Sequence, residues 1–231
     1  IKLKPKQAII ALDVDSLKEA ERLINEIDKD LFRIKVGKQL FSSKGPHAVE
    51  ELIALGFDVF LDLKLHDIPN TVSKALENIC NLGVWMTNIH LSGGQNMIEA
   101  AVNAKNSISS EILLIGVTVL TSLDQKDLFD IGVSNDLRDQ IISLFNLGKK
   151  GGIDGIVCSP NDLAYLEKEE MDSFITVCPG IRVKAESGGQ KRTSTIYDAI
   201  NMGADYLVVA REIISASDPL KVINEIDSYF I

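Results

Sequence analysis

The sequence has few aromatic residues and few cysteines. Only 6% of its 231 residues are aromatic, while 45% are hydrophobic, so a core must be built mainly from Ile, Leu and Val. The cysteines are Cys80, Cys158 and Cys178, and no two of them form a Cys-x-x-Cys pair. An odd, dispersed set argues against a disulfide framework or a zinc cage and is typical of a reducing cytosol.

Long hydrophobic runs are absent as well. No apolar stretch approaches the roughly 20 residues that a membrane-spanning helix needs. The opening residues Ile-Lys-Leu-Lys-Pro lack the apolar run of a signal peptide. We therefore expect a cytoplasmic protein that does not associate with membranes.

Basic residues are in the minority. The 24 Lys and Arg residues stand against 33 Asp and Glu residues, which gives a net charge of −9. This balance disfavours a nucleic-acid or anionic-membrane surface, because both attract a basic face. An anionic small molecule is not excluded, since a few cationic side chains in one cleft are enough to bind phosphate.

Short β-branched apolar segments alternate with longer amphipathic segments along the chain, without a linker between them. The predicted strands are residues 7–13, 32–36, 59–65, 85–91, 112–120, 155–158, 174–178 and 206–210. The predicted helices are residues 16–27, 46–55, 71–82, 96–105, 137–149, 161–166, 195–202 and 219–230. Eight such pairs predict an α/β fold, a (β/α)₈ TIM barrel with one domain over residues 1–231. A doubly wound open sheet is the alternative.

The third predicted strand carries the most informative segment, Phe-Leu-Asp-Leu-Lys-Leu-His-Asp. Side chains alternate along a strand, so Asp62 and Lys64 are expected to share the face toward the barrel axis. One interpretation is a structural ion pair, although such a pair is a poor source of stability. The other is a functional site, because Asp13, Lys35 and Asp67 are expected in or just past neighbouring strands. An alternating array of Lys and Asp would hold a Lys protonated and oriented as a general acid.

Two arginines are placed near the ends of the last two predicted strands. Arg182 closes a Pro-Gly-Ile-Arg turn, and Arg211 follows Ala210. In (β/α)₈ barrels these loops often bind phosphate with the N-terminus of a short extra helix, for which residues 213–215 are the candidate. Gln190, in the polar loop between the two strands, is a neutral donor candidate. The alternative is that Arg182 and Arg211 are ordinary surface charges. Their placement at the ends of adjacent strands disfavours this alternative.

The motif Asp-Leu-Lys-Leu-His-Asp-Ile-Pro-Asn-Thr at residues 62–71 resembles the signature of the orotidine 5′-phosphate decarboxylase family. Four further segments match the family's motifs in order and spacing, namely residues 11–13, 35–37, 119–122 and 179–182. The resemblance extends from about residue 7 to residue 230. Sugar-phosphate enzymes of the same superfamily share the Asp-x-Lys-x-x-Asp core, so the additional segments carry the specificity of the match.

The resemblance implies decarboxylation of orotidine 5′-monophosphate to UMP, the last step of de novo pyrimidine synthesis, without metal or organic cofactor. Lys64 would protonate C6 of the pyrimidine, beside Asp62 at the substrate carboxylate. The implied catalytic residues are Lys64, Asp62, Lys35 and Asp67. The implied substrate-binding residues are Asp13, Lys35, Asp62 and Thr71 around the ribose and the reacting carbon, Thr121 at the pyrimidine, and Arg182, Gln190, Ala210 and Arg211 at the phosphate.

The resemblance also implies a homodimer, in which Asp67 and Thr71 reach the neighbouring subunit's site. The chain departs from the family at Ala210, where Gly is usual. The segment 183–189 is shorter than in relatives, which leaves Lys191 as a rival of Gln190 for the phosphate.

Two other functions remain open. A metal-dependent sugar-phosphate decarboxylase or synthase of the same superfamily would use its Asp pair to bind Mg²⁺. A barrel that binds a nucleotide without catalysis is the second alternative, and intact acid and phosphate groups argue against it. Of the histidines near the motif, His66 is expected to order its loop, and the role of His90 is open.

Overall fold

The computed structural model describes residues 2–171, 173–183 and 194–230. The barrel strands are β1 (Ala8–Ala11), β2 (Phe32–Gly37), β3 (Val59–Leu65), β4 (Met86–His90), β5 (Leu113–Val117), β6 (Gly155–Val157), β7 (Ile175–Cys178) and β10 (Tyr206–Val209). They form a closed parallel barrel in the order β1-β10-β7-β6-β5-β4-β3-β2. Two short strands, β8 (Ile181–Arg182) and β9 (Ser194–Thr195), pair outside it. The predicted (β/α)₈ barrel is confirmed, and the open-sheet alternative is wrong.

Helices follow the strands and surround the barrel. They are α1 (Leu17–Ile24), α2 (Lys38–Lys44), α3 (Pro46–Ala54), α4 (Pro69–Asn81), α5 (Gln95–Ile108), α6 (Gln125–Asp130), α7 (Leu137–Gly151), α8 (Lys168–Met171), α9 (Ile196–Asn201), α10 (Arg211–Ile214) and α11 (Pro219–Asp227). Short 3₁₀ helices span Leu91–Gly93 and Pro160–Tyr165. Among the helices of the described residues, none combines the length and the apolar character needed to cross a membrane.

Alternation along the strands separates two apolar layers. The side chains inside the barrel are Ile9, Ala11, Phe60, Met86, Ile115, Val117, Val157, Val177 and Val208. Their neighbours in sequence, such as Ile10, Ile34 and Leu61, pack in the larger cluster with the helices. As in other barrels of this type, the interior is a packed core rather than a pore. Functional side chains are therefore carried at the ends of the strands.

Arg33 lies near the start of β2, toward the amino-terminal end of the barrel. Its guanidinium is 3.8 Å from the centre of the Trp85 ring and its Nε donates to Asp58 at 3.1 Å. Arg33 points away from the outward-facing Ile34. Because Lys35 is two residues further along the same face, it reaches toward the opposite, carboxyl end of the barrel.

Several local predictions need correction. The segment 124–130 was expected as a loop but contains α6, because Asp124 and Asp127 form a reciprocal capping box that satisfies its first turn. Helix α2 after β2 and helix α8 before β7 were not predicted. The helix expected at residues 161–166 is a 3₁₀ helix. These elements are short, so their apolar periodicity is too brief to distinguish them from loops.

Candidate active site

Four charged side chains meet at the carboxyl ends of β1, β2 and β3. Lys35 lies between two carboxylates, with its Nζ 3.1 Å from Asp13 Oδ1 and 3.3 Å from Asp62 Oδ2. Lys64 Nζ donates to the other oxygen of Asp62 at 2.5 Å. The side chains of Lys35 and Asp62 are each 9% exposed and that of Lys64 is 25% exposed. The alternating array predicted from the sequence is therefore present for Asp13, Lys35, Asp62 and Lys64, and we call these four residues the charged array.

Gly37 makes room for the charged array. A Cβ atom at this position would lie 2.8 Å from Asp13 Oδ1 and 2.9 Å from Lys35 Nζ, which is closer than a carbon can approach them. Any larger residue would push the Asp13–Lys35 pair apart. The glycine in the Lys-Val-Gly segment is thus required by close packing.

Regular strand alternation does not by itself bring Asp62 and Lys64 together. The register between β3 and β4 shifts between Leu61 and Leu65, so β3 bulges at the charged residues. Lys64 has a φ of 52°, in the left-handed region that non-glycine residues rarely occupy. The two side chains do share one site, but a bulge with an unusual backbone conformation places them there.

Asn88, on β4, is a site residue that the sequence reasoning missed. Its Nδ2 donates to Asp62 Oδ1 at 2.7 Å, and its Oδ1 accepts from the backbone N–H of Lys64 at 2.8 Å. The side chain is fully buried. The available signal was an amide at an inward-facing position of a buried strand, two residues before His90.

The charged array keeps Asp62 ionised. Burial raises the pKa of this carboxyl, but the ammonium groups of Lys35 and Lys64 and the hydrogen bonds from Lys64 and Asn88 outweigh it, so the pKa lies below its usual value. A substrate group near Asp62 therefore meets a fixed negative charge with an ammonium beside it. That arrangement suits a reaction in which negative charge leaves one atom and develops on the next.

His90, at the end of β4, is kept neutral. Burial, together with the nearby His66, Lys64 and Lys38, lowers its pKa to about 4. The His90 and His66 rings lie 5.5 Å apart. A neutral imidazole at physiological pH is a poor proton donor, so Lys64 is the better candidate for the acid. The role of His66 in ordering its loop stays a prediction.

A cavity of about 340 Å³ connects the charged array to the loops after β7 and β10. Its lining includes Asp13, Lys35 and Asp62 of the charged array, and Arg182, Ala210, Arg211 and Glu212 from the segments after β7 and β10. The structure thus brings these predicted phosphate residues to the same cavity as three members of the charged array. Its size and its two arginines fit a small phosphorylated molecule.

The arginine-lined part of the cavity is built from two short elements. The turn after β7 requires Gly180, whose φ is 76°. Glu212, which the sequence reasoning missed, accepts from the Val183 N–H at 2.6 Å and lies 3.8 Å from the Arg182 guanidinium. The extra helix expected at residues 213–215 is α10, which begins at Arg211 instead. Glu212 therefore ties the turn after β7 to this helix.

Ala210 precedes α10 with a φ of −132°. This position therefore does not adopt the positive φ for which glycine is the default residue.

The remaining predicted residues are not part of the charged array. Asp67 and Thr71 are exposed, in the loop after β3 and the first turn of α4. Thr121 is half-buried in the segment after β5 and does not line the cavity. Gln190 and its rival Lys191 lie outside the described residues.

The acidic side chains of the site are engaged by lysines rather than grouped with one another. In the described ranges, no three His, Cys, Asp or Glu side chains come together as a metal-binding group. A cation at Asp13 or Asp62 would have to displace or adjoin the Lys35 ammonium.

The fold and the site together define a (β/α)₈ barrel enzyme whose cavity is lined by members of an Asp–Lys array and by two arginines. The sequence matches the family "Orotidine 5'-phosphate decarboxylase / HUMPS" over residues 6–226. The chain belongs to this family.

Relatives with similar sequences cover nearly the whole chain. The orotidine 5'-phosphate decarboxylase of Coxiella burnetii (strain RSA 493) is 45% identical over 224 residues, which are 96% of this chain and 95% of the relative. That of Aliivibrio fischeri (strain MJ11) is 45% identical over 227 residues, 97% of each. Among solved structures, orotidine 5'-phosphate decarboxylase from Lactobacillus acidophilus superposes with a TM-score of 0.83 at 32% identity, covering 99% of both chains.

Proposed function

We propose that this protein decarboxylates orotidine 5′-monophosphate to UMP, the last step of de novo pyrimidine nucleotide synthesis, and that residues 1–231 act as one catalytic domain. The observation that carries the proposal is the shared cavity. Asp13, Lys35 and ionised Asp62 of the charged array line it together with Arg182 and Arg211. The substrate has a carboxylate to lose at one end and a phosphate at the other.

Lys64 and Asp62 perform the chemical step. The substrate carboxylate lies against ionised Asp62, and their repulsion disappears as carbon dioxide leaves. The bond from C6 to the carboxylate breaks, and its electron pair remains on C6 in the plane of the ring. The Lys64 ammonium stabilises that charge and transfers a proton from Nζ to C6, after which solvent reprotonates the amine.

The rest of the site orients the nucleotide. Asp13 and Lys35 hold the ribose hydroxyls, and we assign Thr121 to the pyrimidine, although the cavity lining does not include it. At the phosphate, Arg182, Gln190 and Arg211 donate hydrogen bonds beside Ala210, and arginine suits the planar recognition of phosphate oxygens. Binding energy from this remote group lowers the barrier at C6.

We propose that the enzyme needs neither a metal nor an organic cofactor. Lys35 bridges Asp13 and Asp62, and Lys64 pairs with Asp62 as well, so two ammonium groups already supply the positive charge that a metal-dependent rival would take from Mg²⁺. We place the enzyme in the cytoplasm. Its three cysteines are buried and free, as is usual in a reducing compartment.

The active form is proposed to be a homodimer in which Asp67 and Thr71 complete the neighbouring subunit's site. The loop that carries them is exposed from His66 to Thr71. Ile68, within it, is 66% exposed, although a large apolar side chain gains free energy when it is covered. A second copy of the chain would cover it and receive Asp67.

Subunit complementation tests this shared site. Lys64→Ala and Asp67→Ala are each expected to be nearly inactive. Co-refolded in equal amounts, they are expected to recover about a quarter of wild-type activity, because half of the dimers are mixed and each mixed dimer has one intact site. The shared site would be contradicted if the co-refolded mixture were as inactive as each variant alone, or if Asp67→Ala alone were active.

The first measurement follows the ultraviolet absorbance of orotidine 5′-monophosphate with purified protein, with and without EDTA. We expect conversion to UMP at the same rate in both samples. If EDTA abolished turnover, or if the nucleotide were inert while sugar phosphates reacted with Mg²⁺, the metal-dependent alternative would replace this proposal. Binding of the nucleotide without turnover would favour the non-catalytic alternative.

A further inference from the structure

We infer that Asn88 is a positioning residue of the charged array, which sets the orientation of the Asp62 carboxylate and the backbone of Lys64 with one amide group. The inference rests on the proposed function for its rate measurements. The crystal structure of an Asn88 variant tests it independently of any substrate.

Asn88 stands opposite the bulge in β3. Leu61 pairs with Thr87, and the next pair is Leu65 with Ile89. Three residues of β3 therefore face the single residue Asn88, and the regular ladder is interrupted. Bulges of this kind redirect side chains at functional sites.

The amide of Asn88 bonds where the ladder is interrupted. Its Oδ1 accepts the backbone N–H of Lys64 at 2.8 Å, and its Nδ2 donates to Asp62 Oδ1 at 2.7 Å. The side chain has no exposed surface, so the donor and the acceptor are both used within the protein.

Both bonds act on the orientation of the catalytic groups. Asp62 Oδ1 also accepts the Lys64 ammonium at 2.5 Å, so the amide fixes the carboxylate rotation that places this oxygen toward Lys64. The bond to the Lys64 N–H holds a residue whose φ is 52°, an unfavourable value that surrounding contacts must maintain. Without the amide, Lys64 is expected to relax toward negative φ and to carry its ammonium away from the reacting carbon.

The main test replaces Asn88 with leucine, which has a similar size and no polar atoms. We expect kcat for orotidine 5′-monophosphate to fall about 100-fold, since an error of roughly 1 Å in a catalytic group has an effect of that order. KM is expected to change less than about threefold, because the phosphate and ribose contacts lie elsewhere and binding is separable from the chemical step.

Thr87→Val is the matched control. Thr87 is also fully buried on β4, but it faces outward and donates to the Leu61 carbonyl at 3.0 Å. The substitution removes one buried hydrogen bond between the same two strands and leaves the charged array untouched. We expect a loss of stability with kcat within about twofold of wild type, as for a contact remote from the chemistry.

Asn88→Asp gives a pH signature that a merely structural role would not. When protonated, the introduced carboxyl can donate to Asp62 and accept from the Lys64 N–H, whereas its ionised form repels Asp62. Two adjacent carboxyls repel each other when both are ionised, which raises the pKa of one of them. We therefore expect the ratio of variant to wild-type kcat to rise at least about tenfold from pH 8 to pH 6, as the introduced carboxyl becomes protonated. This variant also tests the inference if the leucine protein does not fold.

A crystal structure of the Asn88→Leu or Asn88→Asp protein at pH 8 supplies the readout that needs no turnover. We expect Lys64 to leave the left-handed region and its contact with Asp62 to lengthen. The inference is overturned if the kcat of Asn88→Leu equals that of wild type or is no lower than that of Thr87→Val. It is also overturned if the ratio of Asn88→Asp to wild-type kcat is independent of pH, or if Lys64 keeps its wild-type conformation in the variant crystal structure. A wild-type protein without turnover would refute the proposed function instead and leave the structural test to decide.

Discussion

Replacement of Lys64 by alanine is expected to abolish turnover of orotidine 5′-monophosphate while the barrel remains folded. The change removes both the proton donor and the cation nearest to the developing charge. General acid catalysis is worth about 10² to 10⁴-fold and one preorganised electrostatic donor about 10² to 10³-fold, so kcat is expected to fall by at least about four orders of magnitude. The measurement is kcat at neutral pH beside thermal unfolding of the same preparation.

The structure explains why the fold should survive. Asp62 keeps the ammonium of Lys35 at 3.3 Å and the amide of Asn88 at 2.7 Å, so its buried charge is not left without partners. The Lys64 side chain is 25% exposed, so its truncation does not open a void in the apolar core. A small change in melting temperature is therefore expected beside a very large loss of rate.

Lys74→Ala is the matched control for this substitution. Lys74 lies on α4, is 66% exposed and pairs with Glu77 at 2.8 Å, an exposed ion pair of little energetic weight. Its removal is expected to leave kcat unchanged. If Lys64→Ala retained more than about a hundredth of wild-type activity, a general acid would not be its role.

The fold was predictable because its signal repeats eight times. Short apolar strands with one face inside the barrel and one against the helices produce the same pattern at each turn of the chain. The length of the chain and the order of its strands and helices then leave few possible barrel topologies. Helices α2 and α6 were not predicted, because a segment of six or seven residues contains too little apolar periodicity to identify a helix. In addition, the residues around Asp124, which caps α6, resemble an ordinary polar turn in sequence.

The charged array was predictable for a different reason. Asp13, Lys35, Asp62 and Lys64 are charged residues in or next to apolar strands, and parallel strands in a barrel bring their carboxyl ends together. The geometry between them was not predictable. The left-handed φ of Lys64 and the bulge around it depend on the register with β4, which no local pattern encodes.

Asn88 and Glu212 were missed because both act through other residues. Asn88 bonds to the neighbouring strand, and Glu212 bonds to the Val183 N–H in the turn after β7. A single Asn in a strand or a single Glu in a short helix is ordinary in sequence. Their importance follows from tertiary contacts, which here support the groups that face the cavity.

Arg211→Ala is expected to lower kcat/KM for orotidine 5′-monophosphate by about 10² to 10³-fold, since a bidentate, charge-assisted phosphate contact is among the strong interactions in proteins. Arg211 opens α10 and lines the same cavity as Asp13, Lys35 and Asp62. Because part of the phosphate binding energy lowers the barrier at C6, kcat should fall as well as KM rise. The measurement is the full saturation curve of the variant and of wild type.

Orotidine without its phosphate separates this role from a general loss of structure. If Arg211 acts through the phosphate, wild type and Arg211→Ala should decarboxylate the nucleoside equally slowly, and the difference between them should appear only with the phosphorylated substrate. Arg138→Ala, at an exposed position of α7, serves as the matched control and should behave as wild type with both. Equal losses on nucleoside and nucleotide would show that Arg211 supports the barrel end and does not bind phosphate. An unchanged kcat/KM on the nucleotide would leave the proposed Arg182 and Gln190 to bind the anion.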